Sequence, residues 1–351
     1  MPVVPVNQWF QGARRTGSTA RSRLALWRTG VLVLIAVLLV TSVAMFASGC
    51  GKKASPRKVR IGVLKALGTV TPYLAQSLGY FKEQGLDVEL ISFPSGPIAM
   101  EAFASGNIDV VYAGIGPVST WQSKGVKVKV VANANTGGHM IMVRSDSGIK
   151  TPADLKGKKI ATPTTGSVTD VLFRQLFLKD VAKLDPVKDM KIISNINPAD
   201  MPVILVVNKE VDAIVTWEPY ATQALQGFKG VSVLFDFGQY WKEKYGRLYE
   251  TNVVSASQDF IDKQPDTLRR VLKAHKKATD YINNNKTEAY KMIAKELSLT
   301  EQVITEAAKN IGFSYDIDQD QCLITVRFAK ELGYISTMPT KDQLFDLRFL
   351  K

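Results

Sequence analysis

Thr216-Trp217-Glu218-Pro219-Tyr220 is the phrase in this chain whose residue types could do the most chemistry. It follows a strand-like apolar run and opens a helix-like one, which puts Glu218 at a strand-to-helix corner. A carboxylate in a first helical turn answers the helix dipole. Facing a cleft instead, it would accept hydrogen bonds from a cationic or N–H-bearing ligand, with Trp217 or Tyr220 as an apolar wall. The residues leave both roles open. Four further segments place small hydroxyl and glycine residues at predicted strand ends: Gly68-Thr69-Val70-Thr71, Ser95-Gly96, Gly114-Ile115-Gly116 and Thr164-Thr165-Gly166-Ser167. Small residues let a ligand approach the backbone, and hydroxyls add donors.

Proline marks the helix starts. Thr71-Pro72, Gly96-Pro97, Gly116-Pro117 and Asn197-Pro198 each put a capping type before a proline that suits the first helical position. The other first-turn N–H groups then point outward with the positive end of the dipole, which attracts anions. In an open α/β sheet these ends share the carboxyl edge of the strands, where ligands bind. The expectation is an anion-accepting cleft.

Catalytic and metal chemistry is missing from the pattern. Only His139 and His275 exist, and Cys322 is the one cysteine after Cys50. No G-x-S-x-G, H-E-x-x-H, P-loop or G-x-G-x-x-G occurs. His275 lies in a Lys-rich helical stretch and reads as a surface residue, while His139 follows two glycines and reads as a structural histidine, or else as one bordering the cleft. Cys322 belongs on an apolar helix face with Leu323, Val326 and Phe328. We expect no enzyme, no metal and no cofactor.

The elements that must carry these loops alternate. From Val59 onward, short β-branched runs exchange with helical segments, the pattern of βαβ units. A second series begins near Lys159, and the two share a phrase: Asn107-Ile108-Asp109-Val110-Val111 and Glu210-Val211-Asp212-Ala213-Ile214 each enter a third strand. From Asp259 the pattern is nearly all helix, with Thr300 and Asp318 as N-caps and Gly312 and Gly333 as C-terminal stops. Such a tail needs a sheet face to cover.

The N-terminus has the order of an export signal. Arginines at 14, 15, 21, 23 and 28 precede the uncharged run Val31–Ala47, then small residues, then Cys50. Small residues followed by cysteine resemble the lipobox of bacterial lipoproteins, which implies a signal peptide over 1–49, an acylated Cys50 and a tether over 50–56. The alternative is an uncleaved membrane anchor, since Thr29–Gly51 carries no charge. Of 45 Lys and Arg residues, five lie in the leader, so the rest of the chain holds 40 against 32 acids. That spread surplus fits a solvated face and gives no case for nucleic acid.

Several phrases together resemble a known family, the solute-binding proteins of bacterial ABC importers for nitrate, sulfonates, taurine and thiamine-pyrimidine precursors. They are Gly79-Tyr80-Phe81 through Gly85-Leu86-Asp87-Val88, then Ala104-Ser105-Gly106-Asn107-Ile108-Asp109, then Asp154-Leu155-Lys156-Gly157-Lys158, then Val211-Asp212-Ala213 with Trp217-Glu218-Pro219-Tyr220, and Phe260-Ile261-Asp262 with Pro265. The resemblance implies a two-lobed type II periplasmic-binding-protein fold, α/β, each lobe a mainly parallel sheet flanked by helices with two crossing strands as hinge. Lobe 1 would hold 57–143 and 252–351, and lobe 2 would hold 144–251. Carried over by position, the ligand residues would be Thr69, Thr71, Ser95, Gly96 and Gly116 from lobe 1, with Thr165, Gly166, Ser167, Trp217 and Glu218 from lobe 2. The implied function is capture of a small organic anion, sulfonate- or taurine-like, by an exported, lipid-anchored monomer that delivers it to a permease and its ATPase. A ligand-sensing or partner-docking protein and an N-heterocycle importer subunit are the alternatives.

Overall fold

A computed structural model of the chain describes residues 58–350. The expected signal peptide, acylated Cys50 and tether lie outside the described residues. Among the described residues, no helix is long and apolar enough to cross a membrane.

Eleven strands occur in the described residues: β1 Val59–Leu64, β2 Val88–Phe93, β3 Val110–Gly114, β4 Val128–Gly137, β5 His139–Arg144, β6 Lys159–Ala161, β7 Lys191–Ile193, β8 Ala213–Trp217, β9 Val231–Asp236, β10 Glu250–Ser257 and β11 Ile311–Phe313. They form a six-stranded sheet in the order β11-β4-β10-β3-β1-β2 and a five-stranded sheet in the order β7-β6-β8-β5-β9. The repeated phrase enters β3 in one sheet and β8 in the other, as expected.

Both sheets are mixed rather than mainly parallel. β1 runs parallel to β2 and β3, and β6 parallel to β7 and β8. β10 lies antiparallel between β3 and β4, and β5 antiparallel between β8 and β9. The βαβ pattern gives the direction of strands joined by helices within one sheet. It says nothing of β5 and β10, which arrive from the other sheet and run backwards, nor of β11, which pairs antiparallel with β4.

The chain leaves the six-stranded sheet at Gly138, between β4 and β5. There φ is +93°, and a Cβ would come within 2.6 Å of Ile311 Cγ2, so the crossing suits glycine on both counts. It returns after the helix Phe237–Tyr245 into β10. The helix Phe237–Tyr245, β10 and two weaker strands escaped the sequence pattern. β9 carries no clear alternation, and β11 has three residues with Gly312, expected as a helix stop, at its centre, paired with Thr136 of β4.

The tail is helical, as expected, over Pro265–Asn284, Lys286–Leu297, Glu301–Ala307 and Gln319–Glu331. Leu268, Val271, Leu272, Ala278 and Ile282 form the buried stripe of Pro265–Asn284, at the spacing of one helix face. They join a core with Ile61, Val63 and Tyr112 of the six-stranded sheet. His275 lies in that stripe and is fully buried, which corrects the surface reading. Its Nε2 is 2.8 Å from the Asn133 carbonyl, and burial lowers its pKa to about 4. The lysines beside it occupy the opposite face, which is why composition misled. Cys322 is fully buried beside Val326 and Phe328, and Thr300 and Asp318 cap their helices through their side chains.

Candidate functional site

Between the sheets lies a cavity of about 40 Å³, on a scale where one water needs about 10–15 Å³. The six-stranded side contributes the turn after β1 through Leu64, Ala66 and Gly68, and the helix starts through Gly96, Gly114 and Pro117. The five-stranded side contributes Ser167–Thr169, Trp217 and Glu218, and the crossing segments add Asn135, His139, Thr251 and Asn252. No lysine or arginine is among its lining residues.

Two helix starts face this space without a side-chain cap. Helix Gly96–Ala104 has Ser95 at its N-cap, but the hydroxyl makes no capping bond, and helix Ile115–Ser123 begins after Gly114, which has no side chain. Their first-turn N–H groups are donors without a side-chain partner. Ser167 does cap its helix, accepting from the Asp170 N–H at 3.2 Å. The helices start at Thr71, Gly96, Ile115 and Met201, so the prolines fall at or beyond the second helical position, except Pro198, which precedes its helix. The cap positions fall instead at Val70, Ser95, Gly114 and Asp200.

Of the ten expected ligand residues, Gly96, Ser167, Trp217 and Glu218 line the cavity. The other six do not line it. Thr69 turns its hydroxyl inward, donating to the Leu64 carbonyl at 2.7 Å. Thr71 and Ser95 are buried with hydroxyls that reach no protein partner. Gly116 and Gly166 approach one another, a Cβ on Gly116 lying 3.7 Å from the Gly166 carbonyl. Thr165 is exposed, and its N–H donates to Asn195 Oδ1 at 3.3 Å.

Glu218 is 2% exposed and its carboxylate is already engaged. Oε2 accepts from the Thr222 N–H at 3.1 Å, and Oε1 accepts from Thr222 Oγ1 at 2.9 Å and Asn310 Nδ2 at 2.6 Å. Burial raises its pKa, and the Asn310 and Thr222 donors oppose the rise. His139 places Nδ1 2.7 Å from the Tyr249 hydroxyl, and burial lowers its pKa to about 3, so its ring is neutral near neutral pH. Trp217 Nε1 is a buried donor without a protein partner.

Sequence reasoning missed Asn135 and Asn252. Asn135 Oδ1 accepts from the Asn252 N–H at 3.2 Å and from its Nδ2 at 2.8 Å. It also fills the space beside Gly68, where a Cβ would lie 2.4 Å from Oδ1. The available signal was Asn133 and Asn135 alternating with Ala132 and Ala134 in a run otherwise apolar enough to be buried.

Asp170 is fully buried away from the cavity lining, bonded to Arg174 Nε at 2.6 Å, the Tyr334 hydroxyl at 2.7 Å and the Gly166 N–H at 3.0 Å. Among the described residues, no cluster of three or more His, Cys, Asp or Glu is placed to hold a metal.

Two mixed α/β sheets closed over a cavity at their helix ends define the periplasmic-binding-protein fold. The crystal structure of the periplasmic aliphatic sulphonate binding protein SsuA from Escherichia coli superposes with a TM-score of 0.69 at 24% identity, covering 83% of this chain and 92% of that one. The chain belongs to the NMT1-like family, whose pattern it matches over residues 52–298. A Brucella abortus chain provisionally named as a binding protein is 28% identical over 312 residues, 89% of this chain and 90% of its own. A 4-amino-5-hydroxymethyl-2-methylpyrimidine phosphate synthase of Saccharomyces cerevisiae is 27% identical over 240 residues, 63% of this chain and 66% of its own.

Proposed function

We propose that this chain is the extracytoplasmic solute-binding component of an ABC importer and not an enzyme. The six-stranded sheet and its helices form one lobe, about 57–138 and 250–351, and 139–249 form the other; the expected boundaries at 143 and 252 shift because β5 (His139–Arg144) pairs in the five-stranded sheet and β10 (Glu250–Ser257) in the six-stranded one. It is tethered to the outer face of the membrane through an acylated Cys50, acts as a monomer and hands its solute to a permease. The observation that carries this reading is the cavity between the sheets, walled by two uncapped helix starts.

Those helix ends suit the oxygens of a small organic anion. With no basic side chain in the lining and Glu218 in the opposite wall, a bare anion such as nitrate is poorly matched. A taurine-like zwitterion fits better, its sulfonate at the helix ends and its amine towards Glu218. A ring N–H would suit the same carboxylate, which favours an N-heterocycle as the second reading.

A thermal-shift panel of taurine, ethanesulfonate, nitrate and aminopyrimidines on the purified chain tests this. Taurine at about 100 times its dissociation constant adds roughly 2.7 kcal/mol to stability. No shift from any of the four classes would overturn the reading.

A further inference from the structure

The corner after β8 also ties the two sheets together. Tyr220 Oη donates to the Lys65 carbonyl at 2.9 Å, and the Leu67 N–H donates to the Glu218 carbonyl at 3.2 Å. Asn310 Nδ2 donates to Glu218 Oε1 at 2.6 Å. Lys65 and Leu67 belong to the turn after β1, and Asn310 immediately precedes β11, so all three bonds run from the five-stranded side to the six-stranded side. Thr222, one helical turn beyond Glu218, fixes the carboxylate that Asn310 meets. The helix Tyr220–Gly227 packs on the helix Glu301–Ala307, which extends the same seam. None of these partners is a ligand.

We infer that the Glu218–Tyr220 corner is a ligand-independent clasp that holds the five-stranded side shut on the six-stranded side, with Tyr220 and Asn310 as positioning residues for the cavity. This rests on reading the two sheets as the jaws of a solute-binding protein. Opening the jaws breaks all three bonds together, because Glu218 and Tyr220 share one short corner. Closure is then populated before the solute arrives, and solute entry follows release of the clasp. The sharpest phrase in the sequence thereby acquires a second duty: its carboxylate borders the cavity, and its backbone carbonyl and tyrosine close the seam.

The Leu67 amide reports the clasp directly, since among the described residues its backbone acceptor, the Glu218 carbonyl, lies across the seam. Hydrogen exchange of the purified chain, dialysed free of solute, is followed in wild type, Tyr220→Phe and Asn310→Ala. The expected result is a protected Leu67 amide in wild type without any added ligand. Each variant then speeds its exchange by roughly 2- to 10-fold, the range of one net hydrogen bond. Amides of β1 and β3 stay unchanged, which separates release of a clasp from general loss of stability. A Leu67 amide that exchanges freely in wild type, or that ignores both variants, would overturn the clasp. Running the ligand panel on the same preparation keeps the two ideas apart. Solute binding with an unprotected Leu67 removes the clasp alone, and a protected Leu67 with no solute in the panel removes the transport reading alone.

Discussion

Burial acts on the two titratable residues of the cavity wall in opposite directions, raising Glu218 and lowering His139 to about 3. Replacing Glu218 by Gln leaves an amide nitrogen facing the donors of Thr222 or Asn310. We expect Glu218→Gln to cost about 1–3 kcal/mol in denaturant unfolding and to weaken an amine-bearing ligand more than an amine-free one. Glu250, at the start of β10, gives a cleaner titration. Its Oε1 accepts from the Asp318 N–H at 3.1 Å, and burial raises its pKa to about 7. A carboxyl raised on folding binds its proton better in the folded chain, so its contribution is complete below the unfolded value near 4.5 and is lost as pH rises to 7. Wild type should therefore lose up to about 3 kcal/mol relative to Glu250→Gln between pH 4.5 and 7.5, read from unfolding at each pH. A constant difference across that window would contradict the burial of Glu250.

The elements around the cavity carry their own tests. Ser167→Ala removes a cap from the helix that begins at Val168, and should cost about 1 kcal/mol of stability. Leu272→Ala opens a hole between the helix Pro265–Asn284 and the six-stranded sheet, and should cost about 2–5 kcal/mol. Both are read by urea unfolding. The helices were legible because apolar spacing and caps are local, as Thr300 and Asp318 illustrate. β11 was not, since three residues with a central glycine make a strand only against the end of β4. His275 was misread because its buried partner, the Asn133 carbonyl, is 142 positions away. The cavity was half legible for the same reason. Helix starts announce themselves through Gly, Ser and Pro, whereas Asn135 and Asn252 matter only where two distant strands pair.

Across the whole molecule, the two sheets share buried apolar contacts as well as a cavity. Ala113 and Ile115 from the six-stranded side join Ile141, Val168 and Leu172 from the other side in one cluster. Closure thus has an apolar backing behind the polar wall, and the helix ends sit at the boundary between the two. A crystal structure of the purified chain grown with taurine, or with whichever panel compound shifts it furthest, examines that boundary directly. We predict solute density between the sheets, with oxygens within hydrogen-bond distance of the first-turn amides of helices Gly96–Ala104 and Ile115–Ser123. Density on the outer surface instead, or a cavity still empty at saturating solute, would contradict capture between the sheets.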